Sequence, residues 1–194
     1  MTDSSRDARA GPKPIAAKIT VDRVLVIFER VDSRRYRIGI VRNGRHDVGP
    51  DVPVRPGPGD ATVPHDLVHF VVEEQARLRL GIFGQVAAGG DCGGFFSPAP
   101  TDRRPGVDGK RSARLGRAGR KDVAVSERLA AIASTGSINA LPASFEADAR
   151  LVHAINDRLA QLLTEWEATP PGGQLRVEWP DALTIRNGRI PAAL

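Results

Sequence analysis

The sequence predicts an α+β domain, with an antiparallel sheet of β-hairpins carrying two main helices on one face. Three observations predict it. Residues 18–41 hold two β-type stretches around a turn, segments 64–80 and 144–168 carry apolar residues at helical spacing, and the tail alternates again. At 194 residues the chain is long enough for one domain with a true core, with or without tails. Aromatic residues make up only 5%, so that core is expected to be built from Val, Leu, Ile and Ala.

The first stretch, "KITVDRVLVIFERV" (18–31), is rich in β-branched residues and ends at the turn pair Asp32 and Ser33. "RRYRIGIV" then alternates, with Tyr36, Ile38 and Ile40 on one side. Asn43 and Gly44 follow, a strong hairpin signal because both turn positions need positive φ. Residues 45–48 are expected to form a short third strand, completing a meander packed on one face. Residues 49–63 carry four prolines and three glycines and read as an irregular loop.

Pro64 opens a helix expected to run to about Leu80, because its missing N–H costs nothing at the first helical position. Gly81 breaks it, and "IFGQVAA" forms a shorter helix ended by Gly89 and Gly90. Two further helices are predicted near 123–134 and 144–168; on the second, Leu151, Ile155, Leu159, Leu162 and Trp166 share a face. The tail "QLRVEWPDALTIRNGRI" alternates, and Asn187 with Gly188 marks a second hairpin.

Two segments are expected to lie outside the packed domain, which otherwise spans 18–194. Residues 1–17 read as a disordered tail; they lack the apolar stretch of a secretory signal. Residues 97–121, "SPAPTDRRPGVDGKRSARLGRAGRK", are rich in Pro, Gly and Arg and almost free of apolar residues, so a mobile basic insertion is expected. The longest unbroken apolar run, Val24 to Phe28, is far too short to span a membrane. Cys92 is the only cysteine, which excludes an intramolecular disulfide and a thiolate zinc cluster. The expected setting is the cytoplasm of a bacterial cell, without membrane partners.

Chemistry concentrates in "VPHDLVHFVVEE" (63–74). His65 and His69 stand one helical turn apart, a spacing at which two imidazoles can share one metal ion. His-Asp-x-x-His differs from the zinc-protease motif His-Glu-x-x-His by one methylene. Asp66 stands where that motif has its general base, and its shorter arm would sit farther from a metal-bound water. Glu73 is the one nearby candidate for a third ligand. It lies eight residues from His65, about 12 Å along the axis at ~1.5 Å per residue, so it can share an ion with His69 but hardly with both. The packed-helix account explains more of the stretch. Pro64 and Asp66 suit a helix N-terminus, where the acid gains roughly 0.3–1 kcal/mol from the dipole. Leu67, Val68, Val71, Val72 and Leu78 face the sheet, and His65, His69 and Glu73 form a polar stripe between that face and solvent. No cofactor is expected on this account; zinc enters only with the alternative.

"PHDLVHFVVE" followed by "LRLGIFGQVAAGGD" resembles a block found in a family of uncharacterised proteins from GC-rich bacteria. The resemblance covers roughly residues 64–91 and implies no activity.

Other motifs read as structural. "GGDCGGFF" (89–96) lacks a nearby cation to activate Cys92 and is expected to be a helix exit whose Phe95 and Phe96 plug back into the core. "GVDGKRS" has Arg111 where a phosphate-binding loop needs Ser or Thr after the lysine. The net charge of +5 rests on 24 arginines and 4 lysines. Arg103, Arg104, Lys110, Arg111, Arg114, Arg117, Arg120 and Lys121 could contact phosphates of a nucleic acid without reading bases, and no aromatics are interleaved for stacking.

Three functions therefore stand open. The first is a non-enzymatic binding or regulatory domain meeting a protein or acidic partner, because no complete catalytic constellation is legible. The second is a metal-dependent hydrolase using His65 and His69, and the third a polyanion binder acting through residues 103–121.

Overall fold

The computed structural model describes residues 23–42, 49–104, 106–134, 149–186 and 190. The expected N-terminal tail, the third strand at 45–48 and the Asn187–Gly188 turn lie outside them. The fold is α+β, with a four-stranded antiparallel sheet and five α-helices among the described residues.

Strands β1 (Leu25–Arg30) and β2 (Tyr36–Val41) form the expected hairpin, in register Phe28↔Ile38 and Arg30↔Tyr36. Asp32 closes its turn by accepting the N–H groups of Arg34 and Arg35, both at 2.8 Å. Period-2 alternation then buries Val26, Phe28, Tyr36, Ile38 and Ile40 in one core.

The proline-rich segment expected to be a loop contains strand β3 (Val52–Pro56), which pairs with β2 through a register shift between Ile38 and Ile40. The sheet order is β3-β2-β1-β4, so β3 is an edge strand. An edge has no outward partner, which is why a strand carrying Pro53 and Pro56 is tolerated there. At the other edge, β4 (Gln174–Glu178) pairs with β1.

Helix α1 (His65–Gln75) starts as expected, though Pro64 stands one position earlier, at the cap. It stops five residues before Leu80. Arg77 turns into the left-handed region at φ 56°, and the N–H of Leu78 returns to the carbonyl of Glu73 at 2.9 Å. That bond satisfies an open carbonyl of the last turn and ends the helix without glycine. Helix α2 (Ile82–Ala87) follows.

The expected mobile insertion is instead largely helical, with α3 (Val107–Ala118) leading through Gly119 into α4 (Arg120–Ser134). Low apolar content misled the expectation, because one side chain anchors the helix. Leu115 is fully buried against Ala88 and Ile185. Ser112 and Asp91 exchange hydrogen bonds at 2.6 and 2.7 Å, and Asp108 accepts the Arg104 N–H at 2.8 Å. The remaining residues of α3 are mostly Arg, Ala and Lys, which lose little on entering a helix.

Helix α5 (Ala149–Glu167) buries Ile155, Leu159, Leu162 and Trp166, the face its spacing predicts, with Leu151 half-buried. Arg30 from β1 closes its C-terminus, one guanidinium nitrogen donating to the carbonyls of Trp166, Glu167 and Thr169 at 3.0–3.1 Å. Helix α1 lies at the centre, its Leu67, Val68, Phe70, Val71 and Val72 all fully buried in the core shared with the sheet, α4 and α5. No helix among the described residues is long and apolar enough to cross a membrane.

Candidate functional site

The polar stripe of α1 does not lie at the edge of solvent. His69 is 1% exposed and Glu73 is fully buried; His65 alone, at the start of the helix, remains exposed. Helix α4 crosses over the stripe and supplies the partner that makes its burial tolerable, Ser126, also fully buried.

With Glu73 ionised, the resulting chain of hydrogen bonds has one consistent direction. Ser126 donates its hydroxyl hydrogen to Glu73 Oε1 at 2.7 Å. With that hydrogen committed, Ser126 Oγ accepts at 2.9 Å from His69 Nδ1, which is therefore the protonated nitrogen. His69 Nε2 then keeps its lone pair and accepts from His65 Nε2 at 3.1 Å. Burial pushes His69 down to about 4, with the neighbouring His65 acting in the same direction, so the ring is neutral at pH 7. The exposed Glu127 carboxylate, 3.8 Å from His69 Nε2, consequently faces a neutral ring rather than an ion-pair partner.

Glu73 is occupied elsewhere. Its Oε1 accepts the Ile82 N–H at 2.7 Å and its Oε2 the Phe83 N–H at 2.8 Å, which satisfies open donors at the start of α2. Gly81 belongs to the same arrangement, since a Cβ there would meet the Glu73 carboxyl carbon at 2.4 Å. Burial raises Glu73 to about 7, against the pull of Ser126 and these N–H groups. The expectation that Glu73 is a third metal ligand fails on this geometry, because its oxygens hold Ser126 and α2. It acts on His69 through Ser126 instead.

Asp66 turns the other way. Its Oδ2 lies 2.8 Å from the Tyr36 hydroxyl, which also accepts the Asp66 N–H at 3.3 Å. Burial lifts this carboxyl to about 6, with the Tyr36 bond opposing.

A cavity of about 560 Å³ opens in front of these groups. His65, Asp66, His69 and Glu127 form its polar side, Arg120 stands in its wall, and Ile82, Phe95, Phe96 and Val123 make it apolar. Cys92 also lines it, but its thiol lies 3.4 Å from the Ile82 carbonyl and burial pushes it up to about 12. That is the opposite of what a reactive thiolate requires. Phe96 is buried in the core, and Phe95 lies partly buried under the Arg55 guanidinium at 3.9 Å. Both plug inward as expected.

The eight basic residues do not form one surface. Arg104 pairs with Asp108 at 2.8 Å, Arg103 donates to the Pro98 carbonyl at 3.3 Å, and Arg111 is half-buried. Arg120 belongs to the cavity. Lys110, Arg114 and Arg117 remain, at i, i+4 and i+7 on the solvent side of α3, with Lys121 just beyond the Gly119 break. None of these four is ion-paired among the described residues.

Sequence reasoning missed Ser126, Glu127 and Tyr36. Ser126 had a signal in retrospect: it sits three and four residues before Leu129 and Ala130, on the buried side of α4. A small polar residue on such a face needs a buried partner. Compared with protein-family models, curated proteins and solved structures, the chain matches none.

Proposed function

We propose that the protein is a non-enzymatic binding or regulatory domain of the cytoplasm, and that its ligand is a small, largely apolar molecule with a polar group that meets the His65, Asp66, His69 and Glu127 side of the cavity. The observation that carries this reading is the 560 Å³ cavity with the His65–His69 pair held at its wall by Ser126 and Glu73. The volume is that of a small-molecule site, and a few placed polar groups on a largely apolar lining are how such sites fix their ligands. A hydrolytic reading using Ser126 as nucleophile is disfavoured. Its hydroxyl is fully buried behind the His69 ring and takes no part in the cavity wall.

Anilinonaphthalene sulfonate, an apolar fluorophore with an anionic end, is a suitable probe. Saturable binding of one equivalent is expected, weakened roughly tenfold or more by Ala124→Trp, which fills the cavity from an exposed position on α4. Non-saturable binding, or identical binding by the variant, removes the reading.

The stripe of Lys110, Arg114 and Arg117 favours a second reading, contact with a polyanion through phosphates alone. Charge reversal of all three should shift heparin-column elution to clearly lower salt, as expected when about three phosphate contacts are lost. Unchanged elution rejects it. None of the three lines the cavity, so the two readings are tested independently.

A further inference from the structure

We propose that His65, His69 and Glu127 bind a divalent transition-metal ion of the zinc class at the mouth of the cavity. The inference goes beyond the small-ligand reading, because a metal ion needs only these three side chains and not the apolar wall.

Three features of the geometry point there. The two Nε2 atoms lie 3.1 Å apart. Two nitrogens sharing a tetrahedral zinc at about 2.0–2.1 Å each are roughly 3.3 Å apart, so the pair already has the spacing of neighbouring ligands once His65, an exposed ring, carries its proton on Nδ1 instead of Nε2. His69 is also built like a ligand: its Nδ1–H is fixed by Ser126, and Ser126 by the buried Glu73 carboxylate. An outer carboxylate acting on the far nitrogen is the usual support of a metal-bound imidazole, fixing its tautomer and raising its basicity. Finally, Glu127 Oε2 stands 3.8 Å from the same Nε2, on a side chain 58% exposed and therefore able to swing inward. Among the described residues no three such side chains already surround one point, and the site is complete only when Glu127 swings inward. The cavity in front leaves room for a water or a ligand atom in the fourth position.

A purely structural His–His hydrogen bond accounts for the 3.1 Å contact alone. It gives no role to the Glu127 carboxylate in front. The two accounts also differ in what His65 does, since losing an exposed hydrogen bond changes little else.

The 194-residue chain, stripped with chelator, is titrated with Co²⁺ and with Zn²⁺. One equivalent of Co²⁺ is expected to give the intense visible absorption of a four-coordinate site. Zn²⁺ should displace it, and millimolar Mg²⁺ should not, because imidazole ligands select against hard ions. His65→Ala and Glu127→Gln alter exposed side chains and leave the core intact, whereas His69→Ala risks the fold. His65→Ala should weaken Zn²⁺ binding roughly tenfold or more, and Glu127→Gln measurably less. His153→Ala, an exposed histidine on α5, should have no effect. The proposal is overturned by absence of stoichiometric binding, by His65→Ala binding as the unaltered chain does, or by equal loss in His153→Ala. Fluorophore binding measured alongside separates this from failure of the small-ligand reading: retained fluorophore binding without metal binding rejects only the metal site.

Discussion

Replacing Glu73 with alanine is expected to destabilise the fold by about 3 kcal/mol or more, one of the two largest single-residue effects in this protein. The carboxylate accepts from Phe83 and Ser126 in the interior and from the half-buried Ile82 N–H. Its removal leaves three donors unsatisfied, each at roughly 1–3 kcal/mol, offset in part by relief of a buried charge. Glu73→Gln keeps the shape and one acceptor and should cost less. The effect is expected to depend on pH in a defined direction. The folded-state value of about 7 lies above the ordinary 4.5, so the folded protein binds this proton more tightly than the unfolded chain does. Stability from this group is complete below pH 4.5 and is lost as pH rises through 7. Urea midpoints of the unaltered chain and of Glu73→Gln should therefore differ most in acid, and the gap should shrink by up to about 3 kcal/mol by pH 8. A gap that widens with rising pH contradicts the assignment.

The same titration should reverse the hydrogen-bond chain. Protonated, Glu73 becomes a donor to Ser126, which turns its hydroxyl hydrogen to His69 Nδ1 and moves the imidazole proton to Nε2. Nitrogen NMR of the His69 ring should record that exchange of tautomers near pH 7, and Glu73→Gln should abolish its pH dependence.

Replacing Trp166 with alanine is expected to cost about 3–5 kcal/mol. Trp166 is fully buried, and its indole N–H donates to the Ala61 carbonyl at 2.6 Å. Its ring meets Tyr36 edge-on at 6.3 Å, with Arg30 lying 5.2 Å from its centre. The loss combines transfer of the ring with the cavity left behind in a close-packed core. Trp166→Phe separates the contributions: it keeps most of the packing, orphans the Ala61 carbonyl, and should cost about 1–2 kcal/mol. Urea unfolding followed by circular dichroism checks both. Because Tyr36 touches both Trp166 and Asp66, the alanine variant should also weaken fluorophore binding in the cavity, whereas Trp166→Phe should not.

Legibility followed the range of the interaction. The β1–β2 hairpin could be read because its turn and alternation are local, and α5 because its apolar residues recur at the helical period. β3 could not, because proline excludes a strand only if both its edges are paired, and which edge is free depends on the whole sheet. α3 was missed for a similar reason: composition counts apolar residues, whereas one leucine suffices if Ala88 and Ile185 meet it.

The stretch from His65 to Glu73 divides along the same line. Residue spacing alone determined that these side chains share a helical stripe, that an apolar face lies beside it, and that two imidazoles fall one turn apart. Only tertiary structure decided what the stripe does. Helix α4, arriving 53 residues later, buries His69 and Glu73 and places Ser126 between them. That converts a candidate ligand into the group that orients one. Spacing along a helix specifies direction, but burial and partners come from whatever packs on top, and that is set by contacts between distant parts of the chain.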